Sequence, residues 1–416
     1  MLRISANEKK QHLLYLIIVT AMYLVVYVGF AFLYNGYNPP FNNVSDLAVH
    51  IPRAYKLQDP ALFVRDPTFM DYRVVKGLRV DLFIFPLMLS KLLPLLGGIK
   101  QTLIPLSLLM GCTFSIGTYF LTYCITGNKS AGMLAAFFAD LDYLALGTIM
   151  LGFLPHLVLP RNLIVAVSPF FFTYFIKYRN SNLIWMLYAV LGLLSNFHVL
   201  APIHLLLIIT LTYFATTKLA WMSIRRIIIA CIIASVGASP FLMAMTSQLS
   251  GIVTVTEEEA IREVFKFYSA LTPLRPNLIG FIIMVAPFLL LSFWELYKKR
   301  GTACFTTYRF LFLITLALPW IGVFINQFTL SLRQFEPLRM TRYYFALSMP
   351  LTASCIDAFL QRRKNKIFNM LCATILIFSV SFISRPQVGY VTIHWLMDRG
   401  FFQQYATPPT DNNGME

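Results

Sequence analysis

The chain has 416 residues, 58% of them hydrophobic and only 12% charged, with a formal net charge of +16. Soluble domains carry about 25% charged residues, so this composition excludes an ordinary soluble enzyme and predicts an all-α polytopic membrane protein. The positive charge does not point to nucleic acid, because no basic low-complexity arm or aromatic-basic module is present. In a polytopic protein the excess Lys and Arg belong in cytoplasmic loops.

Residues 13–33 form the first predicted span. This apolar run is about 20 residues, longer than the ~7–15 of a signal h-region, and no small-x-small cleavage site follows it. Residues 34–100 are predicted as a long outer first loop. Its stretch 44–81 is the longest polar interruption in the chain and collects five Asp, His50 and six basic residues. The apolar segment 82–97 is short, carries Lys91, and holds Pro86 and Pro94, each of which disfavours a straight helix. Further spans are predicted at 102–125, 131–151, 163–176, 183–200, 203–217, 227–246, 278–297, 309–327, 343–360 and 367–384. With the first, they make about eleven; 163–176 and 203–217 are short for a span and could each extend by a few residues. Residues 385–416 read as an interfacial tail ending in disorder. The whole chain, 1–416, is therefore expected to be a single transmembrane domain.

Charge decides whether 82–97 crosses. With a cytoplasmic N-terminus and no crossing there, the inner segments hold Arg3/Lys9/Lys10, Lys129, Lys177/Arg179, Lys218/Arg225/Arg226, Lys298–Arg309 and Arg362–Lys366. These are compact basic runs with almost no acid. A crossing at 82–97 would move the later runs outside, against the positive-inside rule. The segment is thus predicted to be a re-entrant or interfacial helix, with the N-terminus in and the C-terminus out. This parity gathers most of the polar residues of interest on the outer side, and the inner loops read as plain basic anchors.

Asp46 and His50 are four apart and share a face if helical. A carboxylate beside a His makes a general base, since the acid orients the ring and stabilises its charged form. The same pattern also fits an interfacial helix whose Asp pairs with Arg53 or Lys56. Pro52 leaves open one kinked helix or a turn before a helix. Asp59 and Asp66 each precede Pro and suit turn capping. Asp142, at the outer end of the third predicted span, is a candidate second acid, because a carboxylate at membrane depth is costly. Its structural alternative is an acid protonated or paired between helices.

His156 and Arg161 lie in LPHLVLPRNL. An Arg at an outer span boundary suits a phosphate, whose oxygens its planar fork binds in pairs, or it snorkels to the interface. Arg333, Arg339 and Arg342 cluster in QFEPLRMTRYY with only Glu336 to offset them, which favours an anionic ligand or a lipid headgroup. His198, beside Asn196, fits a hydrogen-bonding residue at a span end as well as a catalytic one. The six Cys form no disulfide or metal pattern. No P-loop, GxGxxG, HExxH, GxSxG or CxxC appears in a meaningful context.

One span, a long acidic outer loop, a re-entrant apolar helix and then many spans resemble the layout of the GT-C glycosyltransferase superfamily. SDLAVHIPRAYKLQDPALFVRDP is similar to a first-loop signature of bacterial GT-C-like proteins. Asn128-Lys129-Ser130-Ala131-Gly132 resembles their short inner turn, and LPRNLIVAV the Pro-Arg start of their fourth span. The resemblance covers about residues 13–215. It implies transfer of a sugar from a polyprenyl-phosphate donor to an acceptor hydroxyl at the outer face of a bacterial plasma membrane. It makes Asp46 the base, Asp142 a second acid, and Arg161, Arg339 and Arg342 the carrier-phosphate ligands. No cofactor is expected. A divalent metal would lack the adjacent acid pair of the metal-dependent branches, since Ser45 and Leu47 flank Asp46. The alternatives are a flippase for lipid-linked saccharides, which needs charged residues along a path to both faces, and an O-antigen-polymerase-like enzyme, which places its large loop later.

Overall fold

A computed structural model describes residues 6–33, 47–59, 80–141, 143–146, 149–152, 158–218, 220–243, 288–298, 303–325 and 337–362. Asp46, Asp66, Asp142, His156, Arg333 and Glu336, together with the span expected at 367–384 and the tail, lie outside these residues. The described residues are helical apart from one short hairpin. In chain order they form α1 (Ala6–Leu33), α2 (Leu47–Gln58), α3 (Val80–Leu96), α4 (Ile99–Thr126) and α5 (Lys129–Leu141). The hairpin, β1 (Tyr143–Leu146) with β2 (Ile149–Gly152), comes next, followed by α6 (Pro160–Tyr178), α7 (Ile184–Leu194), α8 (Leu200–Thr216) and α9 (Trp221–Gly237). After a helical stretch at 288–298 come α10 (Ala303–Ile325), a 3-10 turn (Pro337–Thr341) and α11 (Arg342–Arg362).

Two helices, Gln101–Thr126 within α4 and Ala303–Ile325, are long and apolar enough to cross a bilayer. The outer surface of the bundle is apolar: Leu13, Ile17 and Val25 on α1, Met186 and Leu193 on α7, and Trp221, Ile232 and Val236 on α9 are all exposed. Polar side chains go inward. Ser115, Thr118 and Thr122 of α4 are buried, and each hydroxyl donates to the carbonyl four residues back, at 2.7–2.9 Å. That bond is how a hydroxyl is satisfied where water is excluded.

Two expectations are corrected. The predicted span 131–151 is not one helix: α5 ends at Leu141, and the chain turns into a hairpin pairing Tyr143 with Gly152 and Leu146 with Ile149. The predicted span 183–200 shortens to α7, 11 residues. Ser195 and Asn196 then leave the helix, and the Asn196 amide spends its donors on the Leu193 and Gly237 carbonyls (3.0 and 2.9 Å). Its side-chain oxygen accepts the Phe241 N–H at 3.1 Å, so Asn196 locks the end of α7 to the end of α9. The segment 163–176 is longer than predicted, at 19 residues in α6.

Pro52 sits inside a continuous α2. The segment 82–97 is helical as α3 and ends in a corner at Gly97 and Gly98, whose φ values of 87° and 128° few L side chains adopt. Pro94 has no N–H to give the Ser90 carbonyl. Gln58 at the end of α2 supplies the missing donor at 2.6 Å, and α2 thereby rests on α3. Where α7 meets α9, small residues bring the backbones close: a Cβ on Gly192 would lie 2.2 Å from the Ala234 carbonyl oxygen. Such approaches drive helix association in lipid.

Helix α11 is the centre of the fold. It is buried on nearly every side and packs against α4, α5, α6, α10 and β2. The Tyr308 hydroxyl of α10 donates to the Leu347 carbonyl within it.

Candidate anion site and its opposite end

The contacts sort the chain into two ends. At one end, Lys129 donates to Gln11 at 2.7 Å and Arg179 to the Ala303 carbonyl at 3.5 Å. Trp185 reaches the Arg226 carbonyl at 3.1 Å there as well. These are the basic segments expected to share a side. The turn joining α4 to α5 lies here. Gly127 ends α4 in the left-handed region, and the Asn128 side-chain oxygen caps α5 by accepting the Ser130 and Ala131 N–H groups (2.9 and 3.3 Å).

This end is more than a basic anchor. Asp357 of α11 is buried, and its Oδ2 accepts from Asn128 at 2.5 Å and from Gln361 at 2.7 Å. Glu295, 1% exposed, accepts from Ser354 at 2.8 Å. The sequence reading singled out no acid here for chemistry. Asp357 follows an apolar run and has no acidic neighbour, so nothing in its pattern marks it.

The opposite end holds the arginines. Pro160 opens α6 and Arg161 follows it. Arg342 is the first residue of α11, and Arg339 lies in the 3-10 turn just before it. Arg161 and Arg342 are 7% and 3% exposed, while Arg339 is half-buried. The Arg342 Nε donates to the Arg339 carbonyl at 2.6 Å, which fixes its direction. His198 lies in the turn beyond α7, just before α8. Its Nδ1 accepts the Ala201 N–H at 3.2 Å, so the ring caps α8. The Tyr343 hydroxyl reaches the neighbouring Ala201 carbonyl at 2.9 Å and ties the start of α11 to the start of α8.

Burial, and then the positive charges of Arg342, Arg161 and Arg339, hold His198 well below its ordinary pKa of 6.5. His204, 1% exposed and one turn into α8, acts in the same direction. The physical cause is plain: another positive charge cannot be added cheaply to a buried cluster of cations. Arg161 on α6 and the pair Arg339 and Arg342 before and at the start of α11 come from parts of the chain far apart in sequence.

Three helices therefore begin at this site, α6, α8 and α11, and none carries an acid in its first turn. The positive pole of a helix is its N-terminus, where a cation is disfavoured by about 0.3–1 kcal/mol. Two of these termini carry an arginine instead. An anion among them would relieve both the dipoles and the guanidinium charges. Arg161, Arg339, Arg342 and His198 are thus brought together. The hairpin packs beside them, with β2 against the 3-10 turn and α11.

The first-loop residues fall elsewhere. His50 is buried on α2, edge-on to Phe85 of α3 at 5.1 Å. Asp59 is exposed at the end of α2, its N–H bonded to the Tyr55 carbonyl as the last turn of that helix. Tyr343 and Asn196 support the arginine end, and Tyr343 drew no notice in the sequence because a Tyr beside an Arg is commonplace. Among the described residues no group of three or more His, Cys, Asp or Glu is placed to hold a metal. The five described cysteines form no disulfide among the described residues. No family model matches the chain, and neither does any curated protein.

Proposed function

We propose that the chain is a polytopic membrane glycosyltransferase of the GT-C type. It takes a sugar from a polyprenyl-phosphate donor and passes it to an acceptor hydroxyl at the membrane face that carries Arg161, Arg339 and Arg342. That face is the outer one, with the N-terminus and the basic turns in the cytoplasm. The supporting observation is the meeting of three arginines and three acid-free helix N-termini at one place. In this reading the arginines hold the carrier phosphate and stabilise the charge that grows on it as the sugar–phosphate bond breaks. Asp46, from the first loop, takes the acceptor proton, and His50 and Asp142 are its candidate partners in acid–base work.

The test is surface-glycan assembly in a strain that depends on the protein. Arg161→Gln with Arg342→Gln is expected to abolish assembly with the protein present at normal level, as is Asp46→Ala. Intact assembly in the arginine variant sinks the phosphate role, and in the Asp46 variant it sinks the base.

A second reading, a flippase for lipid-linked saccharides, gains from one observation. Helix α11 carries buried Arg342 at one end and buried Asp357 near the other, so polar groups reach both ends of the bundle. Reconstituted vesicles separate the two. Transfer of labelled sugar to an acceptor on one side favours the enzyme, and movement of the intact labelled lipid between leaflets favours the flippase.

A further inference from the structure

Helix α9 begins at the basic end with two adjacent arginines that the fold treats differently. Arg226 turns inward: its Nε donates to the Asn182 side-chain oxygen and a terminal nitrogen to the Tyr213 hydroxyl, both at 3.4 Å. Arg225, about 100° away around the helix, is exposed and has no hydrogen-bond or ion-pair partner among the described residues. Lys218, exposed in the turn just before the helix, is placed likewise. The N-cap is Ala220, which has no polar side chain, and α9 carries no acid in its first turn.

The row that continues from Arg225 at three- and four-residue spacing is Ile228, Ile232 and Ser235, then Ser239 just past the end of α9. A shallow groove runs along it, where the small Cys231, Ser235 and Ser239 sit among Ile228, Ile232 and Val236. The three larger residues are exposed. Ala230 and Ala234, on the other side of the helix, are buried, and α7 packs there with Gly192 against Ala234. From Ile228 to Ser239 is about 17 Å along the axis, close to one leaflet of a ~30 Å hydrocarbon core. Trp221, one turn before Arg225 and exposed, suits the level of the headgroups.

We propose that this groove holds an acyl chain of an anionic phospholipid, whose headgroup phosphate is bound by Arg225 and Lys218. The inference rests on the membrane reading above and is independent of the transferase chemistry. Small residues in a groove also suit a second copy of the helix. A two-fold dimer in a bilayer has its axis along the membrane normal, so equal depths meet. Arg225 would then face Arg225, and Lys218 would face Lys218. A phosphate meets both cations with the opposite sign, and the flexible chain below it fills the groove from the headgroup level inward. A zwitterionic lipid fits the groove as well but brings a cation of its own to the basic residues.

The full chain is placed in phosphatidylcholine vesicles, and lipid with brominated acyl chains is titrated in, as phosphatidylglycerol or as phosphatidylcholine. Bromine quenches a neighbouring indole, and the Trp221 signal is the difference between wild type and Trp221→Phe. Brominated phosphatidylglycerol is expected to quench Trp221 at about a tenth of the lipid fraction that brominated phosphatidylcholine needs. Arg225→Gln should raise the phosphatidylglycerol fraction about fivefold at an unchanged thermal midpoint, and Arg225→Gln with Lys218→Gln should remove the preference. Arg226→Gln deletes the same charge one residue on, and should keep the preference while lowering the midpoint. Ser235→Phe fills the groove and should raise the phosphatidylglycerol fraction at least about threefold.

Equal quenching of wild type by the two lipids would make this face ordinary bilayer boundary. Equal loss from Arg225→Gln and Arg226→Gln would show a diffuse surface charge in place of a site. A wild-type dimer in dilute detergent that Ser235→Phe splits would give the groove to a second copy. Failure of the chain to float with the vesicles would sink the membrane reading and this inference with it, whereas loss of the lipid preference alone leaves that reading standing.

Discussion

The two ends of α11 are built on opposite plans. At the Asp357 end, acids are met by the protein's own donors: Asn128 and Gln361 on Asp357, Ser354 on Glu295. At the Arg342 end, donors and positive helix poles accumulate, and the charges acting most strongly on His198 are cationic. A buried polar group that has its partner inside the fold contributes to holding the fold. The first end is built around acids and the second around cations, and in the reading proposed above the cationic end is the one suited to an anionic guest.

That contrast can be broken in several ways. The largest effect is expected from Arg161→Gln with Arg342→Gln, which should cost at least a hundredfold in sulfate affinity, since each charged hydrogen bond contributes about 1.5–3 kcal/mol. If affinity survives, the arginine end is not a site. Next is the pair of stability changes. Asn128→Ala removes the α5 cap and a donor to Asp357 together and should lower unfolding stability by about 2–3 kcal/mol, with sulfate binding unchanged. Arg339→Gln should do the reverse, weakening sulfate binding with little change in the thermal midpoint of the ligand-free chain. A fall in midpoint for Arg339→Gln would show that the arginines hold the fold.

A smaller effect concerns pH. With its pKa depressed on folding, His198 binds fewer protons folded than unfolded, so stability rises with pH up to the unfolded value near 6.5 and is lost as pH falls below it. The thermal midpoint should decline between pH 7 and 5, and His198→Asn should remove part of that decline. A profile identical in the variant would detach His198 from the cluster. The smallest effect is expected from Gln58→Ala, about 1 kcal/mol, read as faster amide exchange in α2. It leaves both ends of α11 alone, so a change in sulfate binding there would tie the first loop to the site.

Much of the architecture was legible in the sequence because hydropathy and turn chemistry are local. The apolar runs at 102–125 and 343–360 placed α4 and α11 to within about three residues, whereas α1 and α10 begin six or seven residues before the runs expected at 13 and 309. The break after Leu141 was not legible: YLALGTIMLG is apolar enough to continue a helix, and only its β-branched and aromatic residues hint at strands. The arginines were legible as a set because clustered cations beside apolar runs are conspicuous, whereas their meeting with His198 depends on how α6, α8 and α11 pack. Asp357 was missed for the same reason, since its partner Asn128 lies far away in sequence. The base assigned to Asp46 rests on the first-loop resemblance alone.

The central position of α11 also bears on how the chain is made. It is synthesised after α4, α5, α6 and α10, yet it fills the space among them. Until residues 342–362 leave the ribosome, the buried faces of those four helices have lipid, translocon or one another for company. The bundle must stay open long enough to admit a helix that carries an arginine at its leading end and an acid near its trailing end. Ribosome-stalled chains ending before residue 342 should therefore be cut by protease at sites the finished protein protects, and should recover that protection when synthesis resumes through residue 362 and the helix has cleared the ribosome.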